Sequence, residues 1–320
     1  MKITRITGTF PSTSGLCRCR YYMYIPENPR AAVMLSHGMC EYFQRYCGFA
    51  EFLCRNGIAL VGNDHIGHGN SVSDRDMLGY FGEAGGYMYM VKDLHRMRAI
   101  LDKKLPDIPK FLLGHSMGSF IARIYLSRFD DRWDGAVIMG TAGGVTGSAP
   151  LRKLLEVLTH AKDSRFRPQF SSKLAFGVFN LRFPNHRTNN DWLSRVEENV
   201  DRYIADPLCN FTFTVAGFKD LLNALMCANS RSIIENTPTD LPILFLSGSM
   251  DPVGEYGAGV RAACMKYLEH GCSVNIRVYP EARHELLFEL NADEVMNDIL
   301  AFINKRLYNK RLCSLIAVQP

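Results

Sequence analysis

The sequence predicts an α/β protein: a mostly parallel, eight-stranded sheet flanked by helices, with one inserted helical cap. Three observations predict it. Short apolar runs alternate with helix-period segments along most of the chain, as in a parallel sheet. That alternation stops once, between Gly143 and Thr237, where helical segments and loops continue without a strand. A serine fenced by glycines, in "KFLLGHSMGSF" at residues 110–120, ends one of the apolar runs.

Residues 2–9 and 17–25 read as strands with no helix between them, so they are expected to pair antiparallel at an edge. Apolar runs at 31–36 and 58–63 are separated by a helical pattern over 41–56, and a second helix is expected at 85–104. Phe111, Leu112 and Leu113 are apolar in succession, as in a strand covered on both faces. Over 117–129, Phe120, Ile121, Ile124, Tyr125 and Phe129 recur at helical spacing. Strands at 134–140, 242–247 and 274–279 and helices at 255–270 and 292–308 complete the pattern, and the residues after Leu307 read as a tail. The core is thus expected over 1–143 and 237–320, and the cap over 144–236. Its clearest helical stretches are "LRKLLEVLTHAK", "NDWLSRVEENVDRYI" and "FTFTVAGFKDLLNAL". An insertion of this size between two strands is expected over the sheet's carboxyl edge, where open α/β sheets bind ligands.

Gly114-His115-Ser116-Met117-Gly118 has the G-x-S-x-G form of a nucleophile elbow, in which a strand turns sharply into a helix and side chains at the flanking glycines would collide with their neighbours. A serine hydroxyl needs a base to take its proton, and the base needs an acid to set its tautomer and stabilise its charge. In chains with this elbow the order is serine, acid, histidine. Seven of the nine histidines lie before or within the insertion, and His270 sits beside a helix-ending Gly271, which leaves His284, in the loop after the last strand, as the base. Asp251 follows a strand directly in "PILFLSGSMDPVG" and is the acid; Asp240 precedes that strand, and Glu281 and Glu285 are too near His284 in sequence to orient its ring from behind. The developing oxyanion needs two backbone N–H donors. Met117, after the nucleophile, supplies one, and Met39, after the permissive Gly38, supplies the other, with His37 either bracing the loop or serving as a simple turn histidine.

A net charge of +5 spread along the chain argues against a nucleic-acid partner, and the basic stretch "NKRLYNKRL" supports at most peripheral contact with an anionic membrane. No apolar stretch reaches the length of a membrane span, and no signal-like apolar region opens the chain. Ten cysteines without a CxxC pair read as free thiols of a reducing, cytoplasmic setting. His65 and His68 in "DHIGHG" lack a third ligand, so no metal is expected there.

"SHGMCEYFQRY", "NDHIGHGNS", "GHSMGS", "SGSMDPVG" and "ARHELLFE", in this order, resemble the monoacylglycerol lipase and lysophospholipase branch of the serine α/β hydrolases. The resemblance covers both ends of the chain and leaves most of the cap unmatched. It implies the α/β-hydrolase fold and hydrolysis of a carboxylic ester bearing one acyl chain, without metal or cofactor. It carries Ser116 over as nucleophile, His284 as base, Asp251 as orienting acid, and Met39 and Met117 as oxyanion donors. Cys40 and Tyr42 depart from the common HGxxEH loop, and Ile66 replaces a frequent arginine or glycine. Thioesterases, acyltransferases and proline iminopeptidase-like aminopeptidases share this framework, as would a non-catalytic ligand receptor. An aminopeptidase needs a cluster of cap carboxylates for the substrate amine; Glu197, Glu198, Asp201 and Asp206 exist, but they fall mostly on a charged helix face, the usual solvated arrangement. The aromatic cap positions Phe176, Phe179, Phe211, Phe213 and Phe218 are expected to bind an acyl chain, against the alternative that they only pack the cap on the core.

Overall fold

The computed structural model describes residues 2–144, 156, 160, 163–167 and 179–316, with side chains to residue 310. Eight strands form one sheet: β1 (Ile3–Pro11), β2 (Arg18–Pro26), β3 (Ala31–Ser36), β4 (Ile58–Asn63), β5 (Lys110–His115), β6 (Gly135–Met139), β7 (Ile243–Gly248) and β8 (Val274–Tyr279). Their spatial order is β1-β2-β4-β3-β5-β6-β7-β8. The β1–β2 and β2–β4 pairs are antiparallel and every other pair is parallel. The core helices are α1 (Cys47–Arg55), α2 (Gly86–Lys104) and α3 (Met117–Arg128). Between β6 and β7 the described residues hold α4 (Glu197–Ala205), α5 (Val215–Ala228) and α6 (Arg231–Glu235) and no strand; α7 (Ala258–Glu269) and α8 (Ala292–Ile316) follow.

The central strands are buried along their whole length because both faces are covered. Successive side chains of a strand point to opposite faces. Leu112 of β5 accordingly packs in one hydrophobic cluster with α2, α3, α5 and α7, whereas Phe111 and Leu113 pack in a second with α1 and α8. Two sequence expectations shift in detail. The helix expected over 41–56 opens as a short 3-10 turn at Phe43–Tyr46 before α1, and the C-terminal helix runs on through Ile316, where a tail was expected.

Because β3, β5, β6, β7 and β8 run parallel, their carboxyl ends lie along one edge. Ser36 pairs with Gly114, and His115 with Met139. The loops leaving β3, β5, β7 and β8 carry Gly38, Ser116, Asp251 and His284, so residues more than a hundred positions apart meet there.

Candidate active site

Ser116 joins β5 to α3 in a conformation that side chains rarely adopt, with φ 53° and ψ −122°. Such a backbone costs on the order of 1–3 kcal/mol and persists only where its surroundings enforce it. The flanking glycines show how. A Cβ on Gly114 would lie 2.6 Å from the Gly118 carbonyl and 2.8 Å from the Ala122 methyl, and one on Gly118 would strike the carbonyls of Ser36 and His37. The Ser116 N–H is anchored to the Met139 carbonyl on the neighbouring strand at 2.9 Å. The helix begins at Met117, whose N–H therefore has no partner within it.

Ser116 Oγ lies 2.9 Å from His284 Nε2, and His284 Nδ1 lies 3.0 Å from Asp251 Oδ1. The Asp251 carboxylate sets the tautomer: Nδ1–H donates to it, and Nε2 faces the serine with a lone pair. Val253 N–H donates to the same Asp251 oxygen at 2.9 Å. Burial of His284 opposes its protonation, but Asp251 more than offsets this and holds its pKa above the ordinary 6.5. The structure thus brings Ser116, His284 and Asp251 into one hydrogen-bonded chain.

The loop after β3 is tied down by a buried polar web. His37 Nδ1–H donates to the Gly38 carbonyl at 2.8 Å, while Nε2 accepts the His65 N–H at 2.9 Å. Both nitrogens are used by the neutral ring, and burial lowers its pKa to about 4. Gly38 N–H donates to Glu41 Oε1 at 2.6 Å, so Met39 carries the next N–H along the loop. Glu41 also accepts from Tyr46 OH at 2.8 Å, His115 Nδ1 at 3.0 Å and Arg45 at 2.8 Å. Burial would raise the Glu41 pKa, but His115, Arg45 and His37 hold it well below the carboxylate range. His65 and His68 pack beside His37, with ring centroids 4.4 and 5.3 Å from it, and burial keeps both uncharged. Among the described residues no three His, Cys, Asp or Glu side chains gather as a metal site.

A cavity of about 710 Å³ opens onto Ser116 and His284. Met39, Trp192, Phe211 and Phe218 are among its apolar wall residues, and Asn180, Asn190, Asn210 and Thr212 among its polar ones. Trp192, absent from the sequence expectations, lies with its ring 5.1 Å from that of His284. Of the aromatic cap positions, Phe211 and Phe218 line the cavity, and Phe176 lies outside the described residues. Two are corrected. Phe213 is completely buried against His68, Phe81 and Phe218, and Phe179 packs on Trp192 at 4.8 Å without joining the wall. Gly79 decides the first: with no side chain it lets the Phe213 backbone and ring come close, where a Cβ would lie 2.8 Å from the Phe213 Cα. Glu41, Arg45 and His115 were also not expected. Their signal in the sequence is only a Glu and an Arg four residues apart beside Gly38, a spacing shared with ordinary helix pairs.

A family model described as serine aminopeptidase, S33, matches residues 27–291. The chain is 29% identical to the monoglyceride lipase of Rattus norvegicus over 291 residues, covering 89% of this chain and 84% of that one. It is 28% identical to the monoacylglycerol lipase of Mycolicibacterium smegmatis over 310 residues, 95% of this chain and 99% of that one. A thermostable carboxyl esterase from Bacillus coagulans, solved in complex with glycerol, superposes with a TM-score of 0.90 at 30% identity, over 96% of this chain and all of that one. The elbow, the parallel sheet and the match over most of the length lead to one assignment: the chain is an α/β hydrolase and belongs to the serine aminopeptidase, S33, family.

Proposed function

We propose that the protein hydrolyses carboxylic esters bearing a single acyl chain, monoacylglycerols foremost, through an acyl-enzyme on Ser116. The observation that carries this reading is the Ser116–His284–Asp251 hydrogen-bond chain at the floor of a cavity. Ester hydrolases among its relatives support it: the lipases at 28–29% identity and the esterase at 30%. Ser116 Oγ attacks the ester carbonyl while His284 Nε2 takes its proton, and Asp251 stabilises the imidazolium that forms. The N–H groups of Met39 and Met117 receive the oxyanion. The tetrahedral adduct collapses, the C–O bond to the alcohol breaks, and His284 returns the proton to the departing alkoxide. Water then repeats the sequence on the acyl-enzyme and releases the acid.

The carboxylates at the cavity wall favour an ester over an aminopeptidase substrate. Glu41 and Glu285 reach the wall, but both are paired with Arg45 and neither is left for a substrate amine. Asp206 is bonded to Tyr42, and Asp201 to Arg187. Amide and hydroxyl side chains on the wall suit a neutral, hydroxylated head group. A second reading has one observation of its own: a smaller cavity of about 320 Å³ holds Arg182 and Arg283, beside Arg187 and Arg195 that pair with Asp201 and Glu289, and shares Pro184 and His186 with the first, an arrangement that suits the phosphate of a lysophospholipid. The nine described cysteines are free, in keeping with a reducing, cytoplasmic setting. Among the described residues no helix is long and apolar enough to cross a membrane.

Ser116→Ala is expected to lower kcat on p-nitrophenyl butyrate by about 10⁴–10⁶ while the protein stays folded. A fluorophosphonate should label the wild type at Ser116 and leave the variant unlabelled. Undiminished turnover by the variant ends the reading. Rates on 1-monoacylglycerol and lysophosphatidylcholine, measured side by side, separate the two head groups.

A further inference from the structure

We propose that Arg45 is a positioning residue that locks the oxyanion loop and the loop of the catalytic histidine into one catalytic register. The inference rests on the Ser116–His284–Asp251 reading above. Arg45 sits in the 3-10 turn Phe43–Tyr46 with its side chain 8% exposed. Its Nη1 donates to Glu41 Oε2 at 2.8 Å and to Glu285 Oε1 at 2.6 Å, and its Nη2 donates to Glu285 Oε2 at 2.8 Å. The guanidinium plane is walled by the Phe288 ring at 4.5 Å and the Tyr203 ring at 4.9 Å.

The two carboxylates lead to opposite halves of the site. Glu41 holds the Gly38 N–H at 2.6 Å, and so sets the peptide that carries the Met39 N–H; it also holds His115, the residue before Ser116, at 3.0 Å. Glu285 is the residue after His284. Its own N–H bonds the Leu193 carbonyl at 2.7 Å, and the His284 N–H bonds the Trp192 carbonyl at 3.4 Å. One guanidinium therefore spans the oxyanion donor, the elbow and the base, which come from three loops with no backbone hydrogen bond among the described residues joining the first to the third.

The chemistry requires arginine. A planar fork engages Glu285 bidentately and still presents a donor to Glu41, whereas an ammonium is a single point charge. Stability alone is a poor account of such a cluster, since a buried ion pair is often replaced by apolar groups at no loss. The site gains alignment instead: a shift near 1 Å in reacting groups costs on the order of 100-fold in rate.

The test uses full-length Arg45→Lys and Glu285→Gln, with wild type and Ser116→Ala as references. Kinetics on p-nitrophenyl butyrate, the Ki of a short-chain trifluoromethyl ketone, and Tm are measured on each. The ketone forms an oxyanion on the serine, so its affinity reports the register directly. Both variants are expected to lose about 10- to 100-fold in kcat, with KM within about twofold and inhibitor affinity falling in step with kcat. Arg45→Ala should recover part of its kcat in millimolar guanidinium, which a purely structural defect would not. Wild-type kcat and Ki in both variants, whatever their Tm, overturn the proposal. A raised KM at unchanged kcat also overturns it, because Arg45 would then be binding substrate. Activity surviving in Ser116→Ala would instead remove the underlying triad reading, so the two failures are distinguishable.

Discussion

Gly118 is in contact with the end of β3, which launches the loop proposed to carry the Met39 oxyanion donor. A Cβ there would meet two carbonyls, Ser36 and His37, in the backbone that carries Gly38 and Met39. Neither is a side chain that can swing aside, so Gly118→Ala has to displace the loop or the elbow. We expect it to cost about 1–3 kcal/mol of stability and most of kcat, read from thermal melts and p-nitrophenyl butyrate kinetics. Gly114, packed on Ala122 and on the Gly118 carbonyl, is under the same restriction. The base yields a second expectation. Asp251 raises the His284 pKa, and only neutral His284 accepts the serine proton, so kcat/KM should fall on the acid side with a midpoint above 6.5. In Asp251→Asn that midpoint should move down while the rate collapses. A wild-type limb at or below the ordinary histidine value would contradict the electrostatics described.

At the scale of elements, the segment between α4 and α5 both builds the cavity wall and is tied to the loop after β3. Phe211 faces the cavity, and its carbonyl accepts from Cys40 Sγ at 2.9 Å; Tyr42 OH bonds Asp206 at 2.8 Å. Both residues that depart from the common oxyanion-loop pattern, Cys40 and Tyr42, are therefore ties between that loop and the insertion. Phe213 packs in the core two residues on. Phe213→Ala should cost about 3–5 kcal/mol in stability and reduce butyryl and lauroyl ester turnover together. Phe211→Ala should leave Tm nearly unchanged and raise KM for the lauroyl ester alone, by about 0.8 kcal/mol for each methylene that loses its cover. Parallel losses from both substitutions would mean that neither ring meets the acyl chain.

For the whole molecule, the buried histidines govern behaviour in acid. His37 and His68 have pKa values lowered by burial to about 4 and about 3, and His65 is lowered as well. Their neutral forms are favoured by folding. The unfolded chain takes up these protons near pH 6.5 and the folded one does not, so stability present above 6.5 is lost as pH falls toward 4. His284 works the other way: its raised pKa favours the protonated folded state, a contribution present below 6.5 and lost as pH rises through the folded value. Asp64 and Asp220, whose carboxyls burial raises to about 6, oppose the histidines by favouring the folded state as pH falls below 6; three histidines against two carboxyls still leave Tm expected to drop between pH 6.5 and 4. His68→Phe, which retains a ring against Phe81, should flatten that slope. A Tm independent of pH over this range would contradict the burial of these rings.

The elbow, the order of strands along the chain, and the placement of Ser116, Asp251 and His284 at one sheet edge were legible in the sequence because local rules govern them. Apolar runs announce strands covered on both faces, glycines announce a turn that excludes side chains, and the first loop positions after parallel strands converge on one edge. Tertiary structure alone decided what surrounds them. Glu285 was set aside because it is too near His284 to orient its ring, yet it reaches Arg45, 240 positions away in the chain, and through it the oxyanion loop. The choice of Phe211 rather than Phe213 for the cavity wall was likewise invisible, since both are phenylalanines in an apolar stretch and only the neighbours folded against them differ. Local sequence sets backbone conformation through sterics acting over a few residues, whereas the burial and partnership of a side chain depend on what the rest of the chain packs against it.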